Sequence, residues 1–204
     1  MNTTVPTTTT PITTSITTPS TRDRILDHAQ KLIRLRGCNG FSYRDLADHV
    51  GVKTSSIHYY FPSKDDLLFE AVLAYSTRTL AALRAIDAQL PADEKLDRYV
   101  DMSVELSNGE EICLCGMLAA DLASVPERVA REIQGFVQAN EAWLGSVLAE
   151  GRADGTLHVH GDPTTAGRAL FASLQGSGVL CRLFKTNTRL RDIVGAMRVQ
   201  PATT

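Results

Sequence analysis

The densest run of polar chemistry in this 204-residue chain lies between Lys53 and Tyr60. Lys53, Thr54, Ser55, Ser56, His58, Tyr59 and Tyr60 carry ammonium, hydroxyl and imidazole groups. Only Ile57 breaks the run, with Phe61 following four residues later. Positions i and i+4 share one helix face, so Ile57 and Phe61 turn inward and the polar groups turn out. Hydroxyls and phenols at this density are expensive to bury and serve well as donors to phosphate oxygens. Just upstream, Arg44 and its neighbour Tyr43 open another short helical pattern. A guanidinium there matches the O6/N7 edge of guanine, and Lys64 at the next helix start suits a phosphate. The structural alternatives are plain. Tyr60 and Phe61 can be core aromatics, Thr54 and Ser55 helix caps, and Arg44 and Lys64 solvated surface residues.

The second group with chemical potential is Cys113-Leu114-Cys115-Gly116-Met117. Both cysteines fall near a predicted helix start, where the partial positive charge of the N-terminus favours a thiolate and reaction with oxidants or electrophiles. Glu110 and Glu111 oppose that by like charge, and buried, inert thiols are the alternative. Pairing Cys113-x-Cys115 with His158-x-His160 as a metal site is disfavoured. Residues two apart on a helix point about 200° apart, and the pairs lack the close spacing of a structural zinc site. No metal or cofactor is expected. Phosphate-cradling glycine loops, nucleophile elbows and His-Glu metal signatures are absent from the sequence. Asp65-Asp66 and Glu110-Glu111 read as solvated helix-start residues, so no catalytic residue is assigned.

The elements that must position these groups are helical throughout. Ser20 or Thr21 offers an N-cap, and Ile25, Ala29, Leu32 and Ile33 recur on one face until Gly37. Ser42-Tyr43-Arg44-Asp45 is a capping box opening a short helix with Leu46, Ala47 and Val50 inward, closed by Gly51. A third start at Thr54–Ser56 runs to Phe61, where Pro62 disfavours helical geometry. Ser63 opens a longer helix with Leu67, Leu68, Ala71, Val72 and Tyr75 inward. Beyond it the predicted helices are Asp93–Ser107, Ile112–Ser124, Glu127–Glu150, Thr164–Phe184 and Thr188–Val199, separated by Pro91, Asn108-Gly109, Pro126, Gly151–Pro163 and Asn187. No strand pattern or internal repeat occurs, so the fold class is all-α. Two short helices joined at a glycine form a helix-turn-helix, whose second helix enters the major groove.

The segment FSYRDLADHVGVKTSSIHYYFPSKDDLL (Phe41–Leu68) resembles the DNA-binding region of the TetR/AcrR family of bacterial regulators. The residues that carry the resemblance are Leu46-Ala47, Gly51-Val52 at the turn, His58-Tyr59-Tyr60-Phe61, Lys64 and Leu67-Leu68. With the preceding helix, it covers about Thr21–Tyr75. One departure is His58, where the family usually has a phosphate-contacting tyrosine, which brings pH dependence into binding. The resemblance implies a three-helix head joined to a helical ligand-binding and dimerisation body. The expected organisation is a flexible Thr-rich tail at 1–20, the head at 21–66 and the body at 67–204. The expected DNA contacts are Tyr43, Arg44, Thr54, Ser55, Ser56, His58, Tyr59, Tyr60 and Lys64.

The resemblance also implies a homodimer through the last two helices, bound to a palindromic double-stranded operator and released by a small-molecule or electrophile effector. Small and apolar residues Ala166, Leu170, Ser173, Leu174, Ser177 and Cys181, and then Leu190, Ile193, Val194 and Met197, can supply that interface. An intramolecular core fits the same pattern. Candidate effector contacts are Met102, Leu106, Cys113, Cys115, Met117, Leu118, Phe136, Trp143, Phe171 and Gln175, each of which also reads as plain core.

Composition agrees with such a protein. The chain is 43% hydrophobic and 22% charged, enough for a packed core, and contains no apolar run long enough for a membrane span. Its N-terminus does not read as a secretory signal, so the bacterial cytosol and nucleoid are expected, with reduced thiols. Residues 21–64 carry eight Lys or Arg against four Asp or Glu, while 65–204 carry thirteen against nineteen. A head of +4 on a body of −6 turns one end toward phosphate. A helical protein-interaction module is the competing function, and it explains the outward hydroxyl and tyrosine run poorly.

Overall fold

The computed structural model describes residues 19–107 and 110–199. The first eighteen residues of the expected tail and the Asn108-Gly109 break lie outside them. Among the described residues nine α-helices follow one another: α1 (Thr21–Arg36), α2 (Tyr43–Val50), α3 (Thr54–Tyr60), α4 (Lys64–Arg84), α5 (Ala92–Ser107), α6 (Leu114–Ala120), α7 (Glu127–Asp154), α8 (Pro163–Phe184) and α9 (Thr188–Gly195). A 3-10 turn, Leu122–Ser124, follows α6.

The same Ser-x-x-Asp device starts three of the first four helices. Ser20 with Asp23, Ser42 with Asp45, and Ser63 with Asp66 form reciprocal capping boxes. Each satisfies two helix-end groups that would otherwise lack partners. The third start differs from expectation: Lys53 is the N-cap of α3 and makes no side-chain cap bond, and Thr54 is already helical. Gly51 ends α2 in the left-handed region at φ 75°, where a Cβ is disfavoured, and its N–H bonds Ala47 O at 2.9 Å. Phe61 is extended before Pro62, which ends α3.

Ile25, Ala29, Ile33, Leu46, Val50, Ile57 and Phe61 are buried together with Leu67 and Ala71 of α4, so three short helices share a core with a fourth. Helix α4 continues unbroken into the body, placing the 66/67 boundary within its first turn.

In the body, α7 and α8 pack closely because two glycines let their backbones approach. A Cβ on Gly167 would lie 2.6 Å from Gly145 N. Several elements depart from the sequence reading. Helix α7 continues to Asp154, where Gly155 ends it in the left-handed region. Helix α6 stops at Ala120 before the 3-10 turn, and α9 stops at Gly195. Beyond α9 the chain pairs back as an isolated bridge between Leu157 and Arg198, with His158 N donating to Met197 O at 2.7 Å. This pairing gives otherwise orphaned backbone groups partners.

The inward stripe of α8 also needs correction as an interface. Leu170, Leu174, Ser177 and Cys181 are buried within the subunit, as are Leu190 and Val194 of α9. The outward face of α8 is a different row: Ala169, Ala172, Ser173, Gly176, Leu180 and Leu183, with Val179 and Phe184 beside it. Among the described residues no helix is long and apolar enough to cross a membrane.

Candidate nucleic-acid interface and internal cavity

Helix α3 is only seven residues long, and Ile57 and Phe61, both almost fully buried, fix it to the core. That leaves its other face outward. Ser55, His58 and Tyr59 are exposed, Thr54 and Ser56 half-buried, and Tyr59 retains 81% of its surface. Tyr60 packs edge-on against Tyr59, with ring centroids 5.1 Å apart. Arg44 is exposed in the first turn of α2 and makes no hydrogen bond or ion pair among the described residues.

Two other residues expected at this surface are tied into the head. The Tyr43 hydroxyl lies 2.6 Å from Ser63 O and 2.9 Å from Phe61 O, so its single proton is directed at these carbonyls. Burial and the nearby Asp66 and Asp65 carboxylates push this phenol up to about 12. The ring of Tyr43 also meets His58 at 4.8 Å. Tyr43 therefore clips α2 to the segment after α3. The Lys64 ammonium donates to Phe41 O at 2.7 Å and sits 4.6 Å from the Phe41 ring centroid, keeping two protons for other acceptors.

In the body, an internal cavity of about 60 Å³ opens between α1, α4, α5, α7, α8 and the segment before α6. Of the expected effector contacts, Met102, Leu106, Cys113, Phe136 and Gln175 line it. Cys115, Met117, Leu118, Trp143 and Phe171 do not. Cys115, Leu118 and Phe171 are buried in the core, and Trp143 stacks on Tyr99 at 5.6 Å. Sequence reasoning looked for apolar walls and so missed the polar ones: Arg34, Tyr75, Thr79, Tyr99, Ser103, Glu111 and Asn140. One signal was available. Val129, Ile133, Phe136, Asn140 and Leu144 form the buried stripe of α7, and Asn140 is its polar member.

Arg34 is the knot of this site. From the end of α1 it pairs with Glu111 at 2.5 Å, with both side chains about nine-tenths buried. It also donates to Ile112 O at 3.0 Å and to Leu106 O. Nearby, Arg182 of α8 donates to Leu35 O at 2.7 Å, and the Cys38 thiol donates to the Asp121 carboxylate at 2.8 Å. Burial, then Asp121, raises Cys38 to about 11. The head is thus tied to the cavity wall and to α8 by three polar clips.

Tyr75 donates to Cys113 Sγ at 3.7 Å, and Ser76 Oγ lies 3.9 Å from Cys115 Sγ. The Cys115 thiol, the Gly116 N–H and the Tyr75 hydroxyl all favour an anionic Cys113 and hold its pKa below the ordinary thiol value against desolvation. Cys115, donating to it from a buried site, is raised. Among the described residues no three or more His, Cys, Asp or Glu cluster to hold a metal ion.

A helix-turn-helix presenting a polar, aromatic helix, fused to an all-helical body, defines a DNA-binding transcriptional regulator rather than an enzyme. The sequence profile described as "Bacterial regulatory proteins, tetR family" matches residues 25–71, so this segment is a DNA-binding head of the TetR-family type. A TetR transcriptional regulator from Legionella pneumophila is 29% identical, covering 89% of this chain and 97% of its own with a TM-score of 0.79. A TetR-family regulator from Agrobacterium tumefaciens is 27% identical, covering 88% and 98% with a TM-score of 0.81. The biofilm operon icaADBC HTH-type negative transcriptional regulator IcaR of Staphylococcus aureus is 26% identical over 129 residues, 56% of this chain and 68% of that protein.

Proposed function

We propose that the protein is a homodimeric repressor whose residues 21–66 read a palindromic operator, and whose body, from 67 onward, releases it when an effector enters the internal cavity. The observation that carries the DNA reading is the outward face of α3, where Tyr59 is 81% exposed beside Ser55 and His58. Arg44 reads a base edge, while Thr54, Ser55, Ser56, His58, Tyr59, Tyr60 and Lys64 hold phosphates. Tyr43 positions α2 and α3 for that contact. Repression follows the similarity to IcaR, a negative regulator.

Dimerisation is supported by the exposed row on α8. Val179, Leu180, Leu183 and Phe184 are large apolar groups with 40–70% of their surface exposed, continuous with the small residues Ala172 and Gly176. A contiguous apolar patch marks an interaction surface. A second copy on this face would place two heads at a fixed spacing, matching two half-sites.

The test is selection of a binding site from a random DNA pool, followed by fluorescence anisotropy on the selected duplex. Arg44→Ala is expected to weaken specific binding by about 1–3 kcal/mol, roughly five- to 150-fold, with non-specific binding little changed. Failure to enrich any sequence would reject the DNA reading and favour a protein partner at the same face.

A further inference from the structure

Resting on the reading of the cavity as the effector site, we infer that it takes a short, saturated monocarboxylate, whose carboxylate displaces that of Glu111 from Arg34. Glu111 already shows where such a group sits. Arg34 is the one cation in the wall among the described residues. It pairs with Glu111 at 2.5 Å, both side chains being about nine-tenths buried. A planar guanidinium suits a carboxylate above other acceptors. The carboxylate that fills the position now comes from residues 110–113, a segment outside any helix. Arg34 also grips that segment by its backbone. Its Nε donates to Ile112 O at 3.0 Å, and its own carbonyl accepts from Ile112 N at 3.5 Å.

The other polar groups of the wall also call for acceptor oxygens. The hydroxyls of Tyr75, Tyr99, Ser103 and Ser107 all donate within the protein, to Cys113 Sγ, Asn140 Oδ1, Tyr99 O and Val104 O. That of Thr79 is sealed from the cavity. The donors left over are N–H groups. Asn140 spends one amide hydrogen on Phe136 O and keeps a second. The Gln175 side chain lines the cavity with no hydrogen-bond partner among the described residues. Arg34 spends three of its five N–H groups, on Glu111, Ile112 O and Leu106 O, and keeps the rest. Met102, Leu106 and Phe136 offer apolar surface to a short alkyl chain. The volume of about 60 Å³ holds on the order of four or five non-hydrogen atoms. Propanoate matches that size.

The exchange is close to balanced. One carboxylate arrives as another leaves, so the charge of the cavity stays constant. A buried guanidinium left unpaired is strongly unfavourable, whereas desolvation offsets much of the attraction within a buried pair. Arg34 therefore needs a carboxylate, but not that of Glu111 in particular. Glu111 lies at the edge, with 13% of its side chain exposed, and regains its hydration on leaving. Residues 110–113 then lose one of their ties to the end of α1, which loosens the cavity wall from the head.

The experiment titrates the full-length protein by calorimetry with sodium propanoate and with propanamide, its uncharged isostere, at one ionic strength set with sodium chloride. Propanoate is expected to bind on the order of tenfold tighter, because its bonds to Arg34 are charge-assisted. Glu111→Gln removes the competing charge and keeps the side-chain shape. It is expected to tighten propanoate about fivefold or more, as loss of a competing state does, and to leave propanamide unchanged. A purely structural Glu111 would give no such gain. In the unaltered protein propanoate is expected to speed amide exchange at 110–113. Equal affinity for the two probes, absence of propanoate binding, or slower exchange at 110–113 overturns the inference. So does unchanged or weaker propanoate binding by a Glu111→Gln protein whose thermal midpoint reports an intact fold. If that variant does not fold, the two probes and the exchange response of the unaltered protein decide. These measurements need no DNA, so failure to bind propanoate by a protein that binds its selected duplex rejects carboxylate recognition alone. Conversely, propanoate binding by a protein that selects no DNA rejects the repressor reading alone. Propanoate and the selected duplex are expected to weaken each other's binding by the same factor; unchanged DNA affinity would remove the cavity's regulatory role.

Discussion

At the scale of single residues, the two tyrosines of the head at positions 43 and 59 have opposite tasks. Tyr43 spends its hydroxyl on Phe61 O and Ser63 O, fixing where α3 sits against α2. Tyr59 spends nothing internally and stands out into solvent. Tyr43→Phe should therefore lower stability by about 0.5–1.5 kcal/mol, the net worth of an internal hydrogen bond. Tyr59→Phe should leave the urea midpoint unchanged while weakening DNA binding to a similar extent at low and high salt, because a neutral phenol displaces no counterion, unlike a Lys or Arg contact. Urea unfolding and anisotropy at two ionic strengths check both. A Tyr59→Phe protein with unaltered affinity would mean that this phenol makes no contact with phosphate.

At the scale of elements, the three Ser-x-x-Asp boxes give the head a shared acid sensitivity. Hydrogen bonds from Ser20 and Ser42 hold Asp23 and Asp45 below the usual carboxylate pKa, and Arg128 with Ser63 does the same for Asp66. A carboxyl whose pKa is lower folded than unfolded stabilises the fold at higher pH. That contribution is complete above the unfolded value near 4 and disappears as pH falls through the folded pKa. Helicity in the head should thus hold at pH 5 and erode below about pH 4, and Asp45→Asn should flatten that loss in a circular dichroism titration. These boxes were legible in the sequence because caps are local: Ser, Asp and the spacing between them suffice. The Gly51 turn and the Ile57–Phe61 anchor were legible for the same reason. The inward face of α8 was legible only as a stripe, because periodicity marks an apolar face without saying which partner covers it. Leu170, Leu174 and Cys181 face their own subunit. The polar wall of the cavity was hidden because Arg34, Thr79 and Glu111 come together from sites remote in sequence. The α7–α8 contact rests on Gly145 and Gly167, whose closeness no local pattern reveals. Gly167→Val should overpack this contact, costing about 1–3 kcal/mol in thermal unfolding, with the specificity of the head unchanged.

At the scale of the whole molecule, regulation requires that head and cavity have a linked equilibrium. Arg34 is the residue best placed to link them, since it belongs to α1 yet holds Glu111, Ile112 and Leu106 in the cavity wall. Removing it alone leaves a largely buried Glu111 uncompensated, and Arg34→Met should cost about 3–5 kcal/mol, the penalty for breaking a buried pair. Replacing both partners, as in Arg34→Met with Glu111→Leu, removes that uncompensated charge and should recover most of the stability. What the double variant should not recover is communication. In the unaltered protein, binding the selected duplex is expected to change amide exchange across residues 110–121; in the double variant that change should be absent although the duplex still binds. If exchange there still responds to DNA, the link runs instead through Arg182 to Leu35 O, which joins α8 directly to the end of α1. Arg182→Met in the same measurement would then abolish it.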